Sequence, residues 1–69
     1  MNQITLHLND QTTRLYAGTP LAEALQAWHY ADRRVAVAVN GEFVPRSAYA
    51  ERILHDNDRI DIVAPVGGG

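Results

Sequence analysis

The sequence predicts an α+β domain: a mixed sheet of four to five strands with one main helix packed on one face. Three features point there. Polar and apolar residues alternate near both ends of the chain, the mark of half-buried strands. One stretch alone carries a helical repeat. Compact turn signals at Asn9-Asp10, Asn40-Gly41 and His55 to Asp58 separate the extended segments.

Gln3 to Leu8 has period two, with Ile4, Leu6 and Leu8 on the inner side. Asn9-Asp10 turns the chain into a second β-prone run, Thr12 to Tyr16, so the first sixteen residues read as a hairpin. Ala17-Gly18-Thr19-Pro20 is a helix entrance, with Thr19 as N-cap and Pro20 at the first helical position, where its missing N–H costs nothing. Glu23 suits the positive end of the helix dipole. Leu21, Leu25 and Trp28 form an apolar stripe with Ala24 beside it, and the helix is expected from Pro20 to about Tyr30.

After the polar connector Ala31 to Arg34, Val35 to Val39 is apolar on both faces, valine on one and alanine on the other, as a central strand would be. Asn40-Gly41 is a hairpin turn signal. Phe43-Val44 resumes an extended course, which Pro45 confines to an edge or a short piece. Ser47 is placed to cap a short helical turn through Ala50. Asn57 is expected in the left-handed region. Arg59 to Val63 alternates again, with Ile60 and Ile62 inward. The first and last strands then pair in the middle of the sheet, a β-grasp arrangement. The expected core is Ile4, Leu6, Leu15, Leu21, Leu25, Trp28, Val35, Val37, Val39, Leu54, Ile60 and Ile62. Residues 1–64 form this domain and residues 65–69 a flexible glycine tail.

Composition narrows the function. Sixty-nine residues with 46% hydrophobic side chains make one small globular domain. The absence of cysteine excludes a disulfide framework, a thiolate metal site and a thiol nucleophile. A net charge of −2 argues against nucleic acid as a partner. No apolar run approaches the ~20 residues of a membrane span, and no signal-peptide pattern follows Met1, so a cytoplasmic monomer is expected. All six cationic side chains are arginine, so no side-chain amine is available for acylation.

No catalytic constellation is visible. His7, His29 and His55 match no metal spacing, and Asp56 and Asp58 read as turn residues rather than calcium ligands. Ser47 lacks a nucleophile-elbow context. Gly67-Gly68-Gly69 is not a phosphate loop, because no helix follows. What remains is the Gly69 carboxylate. The bland reading of the glycines is a frayed terminus. The sharper one is a thin arm that delivers this carboxylate to another protein's active site. Five extended residues reach ~17 Å, and Pro65 stiffens the arm's base. The sheet face opposite the helix would carry Thr5, Ala36, Ala38, Asp61 and Val63, with Arg14 beside them. An all-alanine outer face has poor β-propensity and needs a reason. Ala36, Ala38, Val63, Pro65 and Val66 are therefore the candidate docking residues.

Three internal stretches and the terminal glycines resemble a known family. The stretches are Val35 to Glu42, Val44-Pro45-Arg46-Ser47 and Asp58 to Val63. Together they are similar to the ubiquitin-like sulfur carriers of bacteria, most of all to the ThiS family of thiamine biosynthesis, and the similarity runs the length of the chain. The resemblance implies a carrier rather than an enzyme. An adenylyltransferase of the ubiquitin-activating type would use ATP and magnesium to adenylate Gly69, preceded in the motif by Gly68. A sulfur-donor protein's persulfide would displace AMP to leave a thiocarboxylate, and thiazole synthase would take that sulfur into the thiazole ring. The carrier itself would bind no cofactor. Asn57-Asp58 stands where the family usually has Gly-Asp, and the tail has three glycines where many relatives have two. Arg46 is left with two readings, a surface ion pair or a partner contact. The molybdopterin-type carriers share the chemistry but usually have a longer body. A ubiquitin-like protein modifier or binding module is the alternative from another functional class.

Overall fold

Gln3–Leu8 (β1) and Gln11–Tyr16 (β2) form an antiparallel hairpin, in register from Gln3↔Tyr16 to Leu8↔Gln11. Asn9 and Asp10 in its turn have φ of 46° and 68°. Positive φ at both central positions matches the twist of the flanking strands, and Asn and Asp tolerate it best among residues with a side chain. Helix α1 (Leu21–Ala27) follows, then β3 (Ala36–Val39), β4 (Glu42–Val44), a 3-10 turn (Arg46–Ala48) and β5 (Arg59–Val63). The sheet order is β2-β1-β5-β3-β4, with β1 and β5 parallel at the centre and the other pairs antiparallel. This is the expected β-grasp arrangement. The computed structural model describes residues 2–64; the expected arm, Pro65 to Gly69, lies outside the described residues.

The helix departs from expectation at both ends. Pro20, not Thr19, is the N-cap residue, and no side chain caps it. The Thr19 hydroxyl instead donates to the Tyr16 carbonyl at 2.6 Å. A side-chain cap is not needed, because the first helical N–H groups donate to a neighbouring loop: Leu21 to the Arg52 carbonyl at 2.7 Å and Ala22 to Tyr49 at 3.0 Å. At the other end the helix stops at Ala27, short of Tyr30. His29 takes φ 67°, donating to Gln26, while Tyr30 donates to Leu25 at 2.7 Å. This is the hydrogen-bond pattern of a Schellman motif, with histidine where glycine is usual. The 3-10 turn is likewise entered from Pro45 rather than capped by Ser47.

The core lies between α1 and the inner face of the sheet. Leu6, Leu21, Val37, Val39, Leu54 and Ile60 are its largest fully buried side chains. Three expected members, Leu15, Trp28 and Val35, are partly buried and pack against the edge of the core. Val35 also precedes β3 rather than belonging to it. Ala24 and Val44 are buried and were not expected. Ala24 sits on the inward side of a short helix, and Val44 pairs with Val37.

The central seam is short. β1 and β5 share only the register pairs His7↔Arg59 and Leu8↔Ile60. Side chains lengthen the ladder at both ends. At its start, Asp56 Oδ1 accepts from the Thr5 backbone N–H at 2.7 Å, and the Asn57 N–H donates to the Thr5 carbonyl. At its far end, Asn9 Nδ2 donates to the Ile62 carbonyl at 3.2 Å and Asn9 Oδ1 accepts from the Ile62 N–H at 2.8 Å. Asp58, 9% exposed, locks the turn before β5: its carboxylate accepts from Asn40 Nδ2 at 2.9 Å and from the His55 N–H at 2.8 Å. Asn40 in turn accepts from the Arg59 N–H at 2.9 Å.

Two substitutions test this account by chemical denaturation. Asn9→Gly keeps the positive φ but removes the amide bridge; it should destabilise the fold by about 1–3 kcal/mol, at ~0.5–1.5 kcal/mol per hydrogen bond. Asp58→Ala removes a buried acceptor of two bonds and strands the Asn40 amide and the His55 N–H; a loss of about 2–3 kcal/mol is expected. An effect under ~0.5 kcal/mol in either case, typical of an ordinary surface change, would contradict the role given to that residue.

Candidate functional site

Alternation along β3 sends Val37 and Val39 to the core and Ala36 and Ala38 to the opposite face. The register then builds that outer face row by row. Ala36 pairs with Val63, and Ala38 sits between Asp61 on β5 and Phe43 on β4. Thr5 pairs with Arg14 farther along the sheet. All the outer-face residues expected from the sequence are therefore on one face. Ala36, Ala38 and Val63 of the docking set belong to it; Pro65 and Val66 fall outside the described residues, as do Gly68 and Gly69.

Phe43, paired with Ala38, lies on this face too and is absent from the expected docking set. It is the single phenylalanine of the chain and is 69% exposed; Val63, two strands away on the same face, is 64% exposed. Single exposed apolar side chains are ordinary, but several on one face make a candidate contact surface. A signal was present: Val44 is inward and adjacent, so period two forces Phe43 outward. The small Ala38 beside it leaves the ring standing proud of the neighbouring strand.

At the end of the sheet where β5 finishes, a second feature appears. A cavity of about 620 Å³ opens between α1, the connector after it, the 3-10 turn and the ends of β3 and β5. Leu25, Val35, Tyr30 and Tyr49 are among the residues forming its walls, and Arg33, Arg34 and Arg46 line it as well. Arg46 is thereby placed: among the described residues the only ion pair joins Arg59 to Asp10 at 3.9 Å, so Arg46 is not part of one.

The remaining candidates have structural positions. His7, His29 and His55 are exposed and lie on separate elements. Among the described residues, no three His, Cys, Asp or Glu side chains gather where they could hold a metal ion. Asp56 and Asp58 are turn acceptors, as expected. No described helix is long and apolar enough to cross a membrane. The described residues thus offer a contact face and a cation-lined cavity, both near the point where the chain leaves β5.

Comparison with known proteins agrees with this architecture. A solved structure of a thiamine biosynthesis protein (ThiS) from Geobacter metallireducens superposes with a TM-score of 0.83 at 26% identity, covering 96% of this chain and 100% of that one. The sulfur carrier protein ThiS of Escherichia coli is 33% identical over 61 residues, 88% of this chain and 92% of that protein. A thiazole synthase from Magnetococcus marinus is 36% identical over 64 residues, 93% of this chain but 20% of that protein. A second, from Paramagnetospirillum magneticum, is 51% identical over 37 residues, 54% of this chain and 11% of that protein. The chain therefore spans a fifth or less of the thiazole synthases it matches. The ThiS family model matches residues 3–69, a span that takes in the whole sheet, the helix and the terminal glycines. With fold, core pattern and sequence in agreement, the chain belongs to the ThiS family.

Proposed function

We propose that this chain is a sulfur carrier for the thiazole ring of thiamine, acting as a co-substrate rather than an enzyme. Residues 1–64 are the docking body and residues 65–69 the delivery arm. The Gly69 carboxylate attacks the α-phosphorus of ATP in the active site of an adenylyltransferase of the ubiquitin-activating type, and pyrophosphate leaves. A carboxylate resists nucleophiles because of its own charge; the acyl adenylate does not. A persulfide sulfur on a donor protein then attacks the acyl carbon and AMP leaves. A thiol supplies the two electrons that cleave the remaining S–S bond, and the thiocarboxylate is free to pass its sulfur to thiazole synthase. ATP and magnesium belong to the partner, and the carrier binds no cofactor. Each step takes place in the cytoplasm.

The observation that carries this reading is the family match, which continues past the folded body through the glycines to residue 69. Gly68 and Gly69 have no side chain to clash in a narrow channel. The similarity of this chain to part of two thiazole synthases supports the thiazole branch over the molybdopterin one. Ala36, Ala38 and Val63, with Phe43, supply the docking face. Pro65 and Val66 continue that contact into the arm. Ordering a glycine arm costs entropy at binding, so the body must contribute contacts that compensate.

Intact-mass measurement after incubation with the adenylyltransferase, ATP, magnesium and a sulfur donor should show the mass gained when one oxygen is exchanged for sulfur, and deletion of Gly68-Gly69 should abolish it. An unchanged mass with a partner of proven activity would refute the carrier reading. Phe43→Ala should leave the melting temperature nearly unchanged, because the ring is exposed, and raise the KM for the carrier in adenylation by about tenfold, as expected for an aromatic anchor worth ~1–2 kcal/mol. An unaltered KM would remove Phe43 from the docking face.

A further inference from the structure

We propose that the cavity lined by Arg33, Arg34 and Arg46 receives an acidic segment of the activating adenylyltransferase, a segment bordering the channel that takes the arm. This rests on the carrier reading and adds a second docking point to it.

The charge distribution is the first argument. The chain as a whole carries eight acidic and six basic side chains. Half of its arginines line this one cavity, and among the described residues no acidic one does. Asp32 adjoins Arg33 in the chain but neither lines the cavity nor forms an ion pair with it. Among the described residues, this net-negative protein thus gathers three arginines outside any ion pair at one place. Left alone, three like charges so grouped repel one another, and an anionic partner relieves that repulsion.

Position is the second argument. Val63, the last residue of β5, and Ala36 beside it belong both to the cavity wall and to the flat outer face. The cavity is therefore continuous with the apolar docking face and adjoins the base of the arm. A protein that encloses the arm must lie against the cavity rim.

The lining decides the chemistry. Leu25 is buried, Tyr30, Tyr49 and Val35 are half-buried, and the three arginines are exposed. An apolar floor under a cationic rim suits a peptide segment that combines carboxylates with an apolar or aromatic side chain. A free nucleotide would need buried polar groups to orient it, and this lining has none. Guanidinium is also the appropriate cation, because its planar fork holds a carboxylate by two parallel bonds.

The test is adenylation kinetics with the carrier as varied substrate. In the triple variant Arg33→Gln, Arg34→Gln, Arg46→Gln, the KM for the carrier should rise about tenfold, the sum of three rim contacts of modest strength, with kcat unchanged. Added salt should raise the wild-type KM steeply and the variant's much less. Arg52→Gln, in the loop before β5 and outside both the cavity lining and the outer sheet face, should behave as wild type, and matching melting curves show that the variants are folded. Wild-type KM and salt dependence in the triple variant would overturn the proposal while leaving the carrier reading intact. Equal effects from Arg52→Gln would overturn it too, by showing a response to net charge alone. If the wild-type chain is not adenylated at all, both readings fall.

Discussion

The fold depends on the parallel seam between β1 and β5. Everything on one side of it is the N-terminal hairpin; everything on the other is the β3–β4 hairpin and its connection to β5. A two-stranded hairpin is marginal in water on its own. The two halves become one sheet through strands that share only two register pairs. That explains the side-chain hydrogen bonds at both ends of the seam. Asp56 and Asn9 act as ladder rungs where the backbones have diverged, and Asp58 sets the turn from which β5 enters. Asn9 has a double burden, since the same residue also holds positive φ in the hairpin turn. Leu6 and Ile60, the fully buried residues of these two strands, lie directly beneath the seam.

The seam also accounts for the placing of the functional surface. With β5 between β1 and β3, the chain leaves the body from an interior strand that is hydrogen-bonded on both sides. An arm that continues from such a strand starts from a fixed position and direction. On the docking reading proposed above, a partner held against Phe43 and the alanine rows would find the arm beginning at a set place. The alanines are small and would let such a surface approach the sheet closely, and Phe43 on the edge strand would give it one large apolar contact. The arginine-lined cavity lies around the same exit. Apolar contact, charge complementarity and the delivery arm would then converge within one region of the domain.

Much of this was legible in the sequence, and for identifiable reasons. Period-two alternation in Gln3–Leu8 and Arg59–Val63 determined which side chains are buried, because a strand's side-chain period is fixed by its backbone. Asn9-Asp10, Asn40-Gly41 and Asn57 marked turns, because few residues accept positive φ. Together with one helical stripe, these were enough for the β-grasp arrangement, and the valine and alanine alternation of β3 already separated its inner face from its outer one.

What the tertiary structure decided were matters that involve residues distant in the chain. Thr19 reads as an N-cap locally, yet the helix start is satisfied by carbonyls of Tyr49 and Arg52, which no local pattern can anticipate. The helix stops after Ala27 with His29 at positive φ, without the glycine that usually announces such a stop. Leu15, Trp28 and Val35 are apolar enough for the core but sit at its margin, because burial depends on what packs above them. Phe43 is set beside Ala38 only by the pairing of β3 with β4. Arg33, Arg34 and Arg46 come from two separate connectors, and only the folded chain brings them round one cavity. Local backbone preference could specify the elements; the surfaces they make together required the register of the sheet.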